Sequence, residues 1–337
     1  MNKKISLSDL RFFEMKLFLI TLIFVTSINL LSSQGEKKFF DPMDVFDLSW
    51  ASDPQVSPDG KTIVYVRKSN NIMFDNTSSN LWQISVDGKH HQPLFSGLNN
   101  YKSPRWSPDG KKIAFISDES DTNQIHIRWL DNSESAVISN LQESPSSLSW
   151  SPNGKWLAFT MNVKSPIEPI VEPRSKPEGA EWAERPITIV NTRYQYDGQG
   201  IVDPAYRHVF IVSSDGGSVR QLTNGDFNHN GSLTWSLDSQ QVYFSAYRSN
   251  NWELVSNEAD IYSIDIETGE LDQITTQSGA ERSPTMSPNG KYIAFSSQER
   301  RPLAFTPKRI ALVETQNKEI RILSESLDGN ADNIIWA

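Results

Sequence analysis

A short apolar run, a polar turn and a second apolar run recur five times along this 337-residue chain. Residues 56–66 read VSPDGKTIVYV, and the phrase returns as WSPDGKKIAFIS, WSPNGKWLAFT, WSLDSQQVYFSA and MSPNGKYIAFSS. The serines that mark it lie 50, 44, 85 and 51 residues apart, at Ser57, Ser107, Ser151, Ser236 and Ser287. Proline suits the second position of a tight turn, and Asp-Gly or Asn-Gly tolerates positive φ. Each phrase therefore predicts a β-hairpin.

A second hairpin phrase follows the first in each repeat. It reads LWQISVDGKHHQPLFSG at 81–97, HVFIVSSDGGSVRQLTNG at 208–225 and DIYSIDIETGELDQITTQSG at 260–279, with weaker copies from Ile125 and Ile310. Two hairpins in roughly 40–50 residues make the four strands of one β-propeller blade. We therefore predict an all-β fold, a β-propeller of four-stranded blades. Its repeat tryptophans are expected between neighbouring blades, at Trp106, Trp150 and Trp235.

The two ends of the repeat region depart from this pattern. One short helix is predicted after Asp41, with Asp41 as N-cap and Pro42 at the first helical position. Residues 334–337 read IIWA, which resembles the opening of a further copy. We therefore expect a propeller domain over 34–337 that is incomplete at the C-terminus.

The third step between serines is about 35 residues longer than its neighbours, and the extra length lies at about 164–207. This insertion contains SPIEPIVEPRSKPEGAEWAERP, with prolines at 166, 169, 173, 177 and 186. Proline at that density opposes both helix interiors and central strands, so we expect an extended excursion from one blade. Long insertions on a rigid scaffold often carry binding function.

The N-terminus has the pattern of an export signal. Four basic residues precede or open an apolar run over 17–31, which is typical of a secretory signal peptide within 1–33. An uncleaved membrane anchor remains the alternative. The prediction is a periplasmic or secreted protein.

Composition narrows the chemistry. The formal net charge of −9 argues against nucleic acid as a partner, and the absence of cysteine excludes disulfides, thiolate metal sites and a cysteine nucleophile. The chain has no G-x-S-x-G, no H-E-x-x-H and no phosphate-binding loop. None of the five histidines follows a Ser and an Asp in the chain order that a Ser-Asp-His hydrolase requires. They are His90, His91, His126, His208 and His229. The acidic run at 118–123 is interpreted as a solvated turn. We therefore predict no catalytic residue, metal or cofactor in this chain.

Three further runs carry a specific resemblance. KPEGAEWAERP at 176–186, RYQYDGQG at 193–200 and HVFIVSSDGGSVRQLTNGDFNHNGSLTWS at 208–236 resemble the propeller of acylaminoacyl-peptidase-like and dipeptidyl-aminopeptidase-like members of the prolyl oligopeptidase family. The resemblance covers the chain from about Phe39. It implies a parent serine peptidase in which the propeller restricts access to short peptides. An α/β-hydrolase domain, absent from this chain, would supply Ser, Asp and His.

The resemblance also suggests a role for acidic side chains of the insertion. Glu178, Glu181 and Glu184 are spaced by three, and carboxylates on the propeller side of such enzymes would hold the free α-amino group of a peptide substrate. A solvated charged surface is the alternative for these glutamates. Trp182 is expected to anchor the insertion to its own blade. The predicted partners are a peptide substrate and the protein's own C-terminal hydrolase domain.

A second function class stays open. A TolB-like periplasmic propeller, which binds protein partners and carries no enzyme, would explain the signal and the repeat. It would not explain KPEGAEWAERP or RYQYDGQG. Because fold alone does not give function, the insertion is the feature that distinguishes the two classes.

Overall fold

The computed structural model describes residues 39–165, 167–168, 174–183, 187–255, 257–301 and 305–336. The chain divides into two compact units, 1–48 and 49–337. In the first unit, a 3₁₀-helix spans Pro42–Asp47. The Asp41 carboxylate accepts a hydrogen bond from the Met43 amide at 2.9 Å, and the Asp44 carboxylate accepts one from the Asp41 amide at 2.9 Å. These reciprocal bonds satisfy free amides at the helix start, as the N-cap prediction required.

The described part of the second unit contains five four-stranded antiparallel sheets, which we name blades 1 to 5. Blade 1 comprises β1 (Ser49–Val56), β2 (Thr62–Asn71), β3 (Asn76–Ser85) and β4 (Gln92–Phe95). Blade 2 comprises β5 (Tyr101–Trp106), β6 (Lys112–Ser120), β7 (Thr122–Trp129) and β8 (Ser135–Val137). Blade 3 comprises β9 (Ser146–Trp150), β10 (Trp156–Lys164), β13 (Ala205–Ser213) and β14 (Arg220–Gln221), with the hairpin β11 (Gln195–Tyr196) and β12 (Gly200–Ile201) between β10 and β13.

Blade 4 comprises β15 (His229–Trp235), β16 (Gln241–Ala246), β17 (Asp260–Asp265) and β18 (Leu271–Gln273). Blade 5 comprises β19 (Gly279–Met286), β20 (Tyr292–Glu299), β21 (Arg309–Glu314) and β22 (Ile320–Ile322). Each sheet pairs its strands in chain order, as two successive hairpins require. The predicted β-propeller of four-stranded blades is confirmed.

The repeated turn forms through its own polar side chains. In blade 1, the Ser57 hydroxyl donates to Asp59 Oδ1 at 2.6 Å and accepts from the Thr62 amide at 2.9 Å. Gly60 closes the turn with φ +72°. The same serine-to-Asp or serine-to-Asn bond recurs in all five blades. In blade 4, where the glycine is missing, Ser239 adopts φ +64° instead, so the turn geometry is kept without glycine.

The repeat tryptophans join neighbouring blades. The Trp106 indole N–H donates to the carbonyl of Gln55 in blade 1 at 3.1 Å. The equivalent bonds are Trp150 to Arg105 O at 3.0 Å, Trp235 to Ser149 O at 3.2 Å and Trp336 to Thr285 O at 3.0 Å. The expected position between blades is confirmed, and Trp235 is fully buried while Trp106 and Trp150 are half-buried. Trp336, at the start of the predicted further copy, therefore contacts blade 5 as the others contact their own preceding blade.

The hydrophobic core is divided among the junctions between blades. Four clusters of buried side chains lie between blades 1 and 2, 2 and 3, 3 and 4, and 4 and 5. The phenylalanine of the repeated phrase is fully buried in four blades, at Phe115, Phe159, Phe244 and Phe295. Each buried aromatic ring removes a large apolar area from water, so burial at the junctions stabilises each blade against its neighbour.

The longest connections of blades 3 to 5 emerge on one face. Because each blade is an antiparallel ladder, connections between second and third strands lie at the same end as those from one blade to the next. We call this end the insertion face. It carries the described parts of the insertion at 165–204 and of the connections at 247–259 and 300–308. Long loops on a rigid scaffold make this face the place to search for a site.

Candidate functional site

A cavity of about 490 Å³ lies where the insertion meets blades 3 and 4. Hydrogen bonds hold the insertion over blade 4. The carboxylate of Glu253 accepts from the Thr192 amide at 3.2 Å and hydroxyl at 3.1 Å, and Arg193 donates to the carbonyl of Val255 at 3.2 Å. The insertion therefore forms one wall, and the blades form the floor.

Aromatic and cationic side chains line this cavity together. Tyr194 and Tyr196 come from the insertion hairpin, and Trp252 comes from the 247–259 connection. The Trp252 ring meets Tyr206 edge-on, with ring centroids 5.9 Å apart. Arg193 also lines the cavity. A pocket with apolar rings and a few fixed polar groups is typical of small-ligand and peptide sites.

Two guanidinium groups of the lining have no acidic partner in the described chain. Arg207 donates through Nε to Asn162 Oδ1 at 3.3 Å, and its backbone amide donates to Asn228 Oδ1 at 2.9 Å. Among the described residues, no carboxylate lies within 4.0 Å of Arg193 or Arg207. Within the part of the chain that the structure describes, neither cation is neutralised, so each can bind carbonyl or carboxylate oxygens of a ligand.

A buried histidine supports the floor. His229 is fully buried, and its Nδ1 lies 2.8 Å from the Arg207 carbonyl while its Nε2 lies 2.6 Å from Arg248 Nη1. Burial, together with the nearby His208 and Arg248, lowers the pKa of His229 to about 3. The imidazole is thus neutral, with Nδ1–H donating to the carbonyl and Nε2 accepting from the guanidinium. No described hydroxyl is hydrogen-bonded to His229, so the ring orients the Arg207 backbone rather than activating a nucleophile.

The glutamates of the sequence hypothesis lie elsewhere in the insertion. Glu178 and Glu181 are exposed and do not line the cavity, and Glu184 lies outside the described residues. Trp182 is 47% exposed, which leaves its predicted anchoring role without a described contact. The role of Glu178, Glu181 and Glu184 in binding an amine stays a prediction.

Sequence reasoning missed most of the residues that line the cavity. RYQYDGQG was noted for its resemblance, but its arginine and tyrosines were not proposed as site residues. An arginine followed by alternating tyrosines inside a long insertion was a usable signal. Trp252 and Asn228 gave none, because they reach the cavity only through packing of blade 4 against blade 3.

Comparison with known proteins decides the family. Residues 36–142 and 194–301 match the family described as "Dipeptidyl peptidase IV (DPP IV) N-terminal region". These two segments make up more than half of the chain. The chain belongs to the dipeptidyl peptidase IV N-terminal region family. The second matched segment begins at Tyr194, so it contains the insertion hairpin and most of the cavity lining, whereas KPEGAEWAERP lies outside the match.

Relatives of this family member include named peptidases. The chain is 30% identical over 211 residues to "Uncharacterized peptidase YuxL" of Bacillus subtilis (strain 168), covering 62% of this chain and 31% of that protein. It is 25% identical over 313 residues to "Dipeptidyl-peptidase 5" of Porphyromonas gingivalis, covering 86% of this chain and 43% of that protein. The chain thus spans less than half the length of these curated relatives.

A solved structure supports the same fold. An acylaminoacyl peptidase in complex with Z-Gly-Gly-Phe-chloromethyl ketone superposes with a TM-score of 0.67 at 16% identity, over 87% of this chain and 42% of that one. At this identity the likeness concerns the fold alone.

Two further observations describe the family member itself. No helix among its described residues is long and apolar enough to cross a membrane, and no group of three or more His, Asp or Glu side chains there is placed to hold a metal ion.

Proposed function

We propose that this chain is the substrate-gating propeller of an exported serine peptidase that hydrolyses short peptides. The observation that carries the proposal is the cavity of about 490 Å³ on the insertion face of a dipeptidyl peptidase IV-type N-terminal region. Its size and its mixture of rings and guanidinium groups suit a short peptide, whose side chains pack on the rings and whose carbonyls accept from arginine.

In this proposal the nucleophile, the base and the acid come from an α/β-hydrolase domain of the same protein. The residues of this chain bind and orient the peptide. Arg193 and Arg207 hold carbonyl oxygens, while Trp252 and Tyr194 exclude water from one side of the peptide. The insertion also narrows access, so a long folded polypeptide cannot enter as a short peptide does.

The test uses the full-length gene product. We expect the gene to encode an α/β-hydrolase domain with G-x-S-x-G, and the product to cleave dipeptidyl and tripeptidyl p-nitroanilides but not a folded protein substrate. The control replaces the serine of that motif with alanine and should abolish cleavage. A gene without such a domain, or a product that cleaves no peptide, would contradict the proposal and favour the TolB-like partner-binding propeller.

The glutamates of the insertion give a second, separable test. We propose that Glu178, Glu181 and Glu184 contribute to recognition of the peptide's α-amino group. Replacing all three with glutamine should raise KM for free-amine peptides and spare N-acetylated ones, because only free-amine peptides carry the ammonium group that these carboxylates would bind. Glu168→Gln, in the same insertion, is the matched control. Equal effects on both kinds of peptide would show that these glutamates are only a solvated surface.

Export is the third part of the proposal. The predicted signal within 1–33 lies outside the described residues. It is supported by the basic start and the apolar run alone. Mass spectrometry of the mature N-terminus from periplasm or medium should find a chain that starts near residue 34, whereas an intact Met1 in the membrane fraction would indicate an uncleaved anchor.

A further inference from the structure

A second cavity of about 130 Å³ adjoins the first at the junction of blades 4 and 5. The two cavities share Arg193, Asn228, Asn230 and Trp252 as lining residues. The smaller cavity is also lined by Ser245 of β16, Glu258 of the 247–259 connection and Arg282 of β19. It is therefore an extension of the larger cavity toward the first strand of blade 5.

Two polar side chains of this smaller cavity lack partners in the described chain. Arg282 is partly buried, and its guanidinium makes no hydrogen bond or ion pair with a described residue. Ser245 is 1% exposed, and its hydroxyl is among the few buried side-chain atoms without a hydrogen-bond partner in the described part of the protein. A buried donor left unpaired destabilises a fold, and the Ser245 hydroxyl is such a donor. The partly buried Arg282 guanidinium lines the same cavity without a described partner, so the two together point to a ligand.

Two other half-buried arginines of the blades show what is missing. Arg105 forms an ion pair with Asp53 at 2.9 Å, and Arg128 lies over the Phe95 ring at 4.8 Å. Arg282 has neither kind of neighbour among the described residues. A guanidinium without a charged partner or an aromatic face remains costly to desolvate.

The nearby acid does not neutralise Arg282. Glu258 Oε1 accepts from Arg300 Nη1 at 3.3 Å, and its Oε2 accepts from the Gly279 amide at 3.0 Å. Both oxygens are thus engaged on the blade 5 side, and no ion pair with Arg282 is formed within the described residues. Since Arg300 balances Glu258, the cavity keeps the positive charges of Arg282 and Arg193.

We propose that this smaller cavity binds a carboxylate group, with the Arg282 guanidinium and the Ser245 hydroxyl as donors. A volume of about 130 Å³ holds such a group but not a whole peptide, which would occupy the larger cavity and reach across the shared wall. The carboxylate is then a peptide C-terminus or an acidic side chain. The peptide as the source of the carboxylate rests on the proposed peptide-binding function. The binding of a carboxylate group does not depend on that function.

The experiment measures binding of matched ligands to the purified chain by isothermal titration calorimetry. The probes are N-acetyl-trialanine as the free acid, the same peptide as its amide, and acetate. We expect the acid to bind at least about tenfold more tightly than the amide, because a charge-assisted bond to arginine is lost in the amide. If the carboxylate belongs to a peptide, the acid should also bind more tightly than acetate. Equal affinity for the acid and for acetate would identify a site for free small carboxylates.

Variants assign the preference to this cavity. Arg282→Gln and Ser245→Ala should each reduce the preference for the acid. Arg128→Gln, a half-buried arginine in blade 2, should keep it. Thermal unfolding checks that each variant is folded, and Ser245→Ala provides the second readout if Arg282→Gln is not. Equal binding of acid and amide, no binding of either, or a preference that survives both variants would overturn the proposal. Peptide hydrolysis by the full-length gene product is measured separately, so the two proposals can fail independently.

Discussion

A buried pair of carboxyl groups should make this propeller less stable as the pH rises. Glu281 of β19 is 1% exposed, and its Oε2 accepts from the Thr275 hydroxyl at 3.2 Å. The carboxyl group of Asp260 in β17 accepts from Gln273 at 3.0 Å and interacts electrostatically with Glu281. Two neighbouring buried carboxylates repel each other, and a proton held by one of them removes that repulsion. The pair therefore holds a proton at the junction of blades 4 and 5.

The direction of the effect follows from the pKa values. Burial raises the pKa of Glu281 from its ordinary 4.5 to about 8 and that of Asp260 from 3.8 to about 6, with Asp260 and Glu258 adding repulsion at Glu281. Arg300 is paired with Glu258 and so balances the charge of that carboxylate. Because both folded pKa values exceed the unfolded ones, the stability present below the ordinary pKa values is lost as pH rises through the folded values.

The magnitude follows from linkage. One proton held only by the folded state lowers the free energy of unfolding by up to about 1.4 kcal/mol for each pH unit. Between pH 6 and 8, the interval set by the two folded pKa values, the loss is about 2–3 kcal/mol. Glu281→Gln keeps the shape and can donate to Asp260 without an ionisable proton. The variant should therefore have a nearly flat profile above pH 6.5 and exceed the wild-type stability at pH 8.

Urea unfolding followed by tryptophan fluorescence at pH 5.5, 6.5, 7.5 and 8.5 measures this difference. Glu267→Gln is the matched control, because Glu267 is an exposed glutamate on the β17–β18 turn of blade 4. The control should reproduce the wild-type pH slope. If Glu281→Gln reproduces it too, the pair does not hold the proton and the reasoning is refuted.

Two further substitutions test the geometry of the blades. Trp235→Phe removes the indole hydrogen bond to the carbonyl of Ser149 and should lower the unfolding free energy by about 1–3 kcal/mol in urea titrations. In the control, Trp50→Phe at a 42% exposed tryptophan should change that free energy by less than about 0.5 kcal/mol. Gly279→Ala places a Cβ in steric conflict with the Gln298 carbonyl oxygen at a φ of +126° and should cost about 3 kcal/mol or more in a thermal melt. Alanine at Gly269, where φ is +73° and no described atom lies within 4 Å of the added Cβ, should cost about 1 kcal/mol. Equal losses at both glycines would contradict the close approach at Gly279.

The blades could be predicted from sequence because interactions between residues close in the chain determine the geometry of each turn. The turn serine, the Asp or Asn two residues later and the residue with positive φ all lie within five positions, and they bond to one another. Even the degenerate copy was recognisable, since Ser236 and Asp238 keep the bond when glycine is lost. Local side-chain chemistry of this kind needs no knowledge of the tertiary structure.

The cavities could not be predicted in the same way. Ser245 and Arg282 belong to different blades, and although Ser245 lies in the repeated phrase of blade 4, nothing in that phrase marks it as a site residue. What distinguishes them is the lack of a partner after the blades pack, which is a property of the tertiary structure alone. The glutamates of the insertion were conspicuous in sequence because of their spacing, yet the two described ones are exposed and away from the cavity.

The electrostatics of the larger cavity follow from the groups beneath it. His229 orients the Arg207 carbonyl, and its pKa of about 3 keeps the imidazole uncharged near neutral pH. The ring accepts from Arg248, so that cation is held in the floor rather than in the cavity. The positive charge offered to a ligand therefore comes from Arg193, Arg207 and Arg282. Ligand binding by this face should accordingly vary with the ionisation of the ligand and not with that of the histidine.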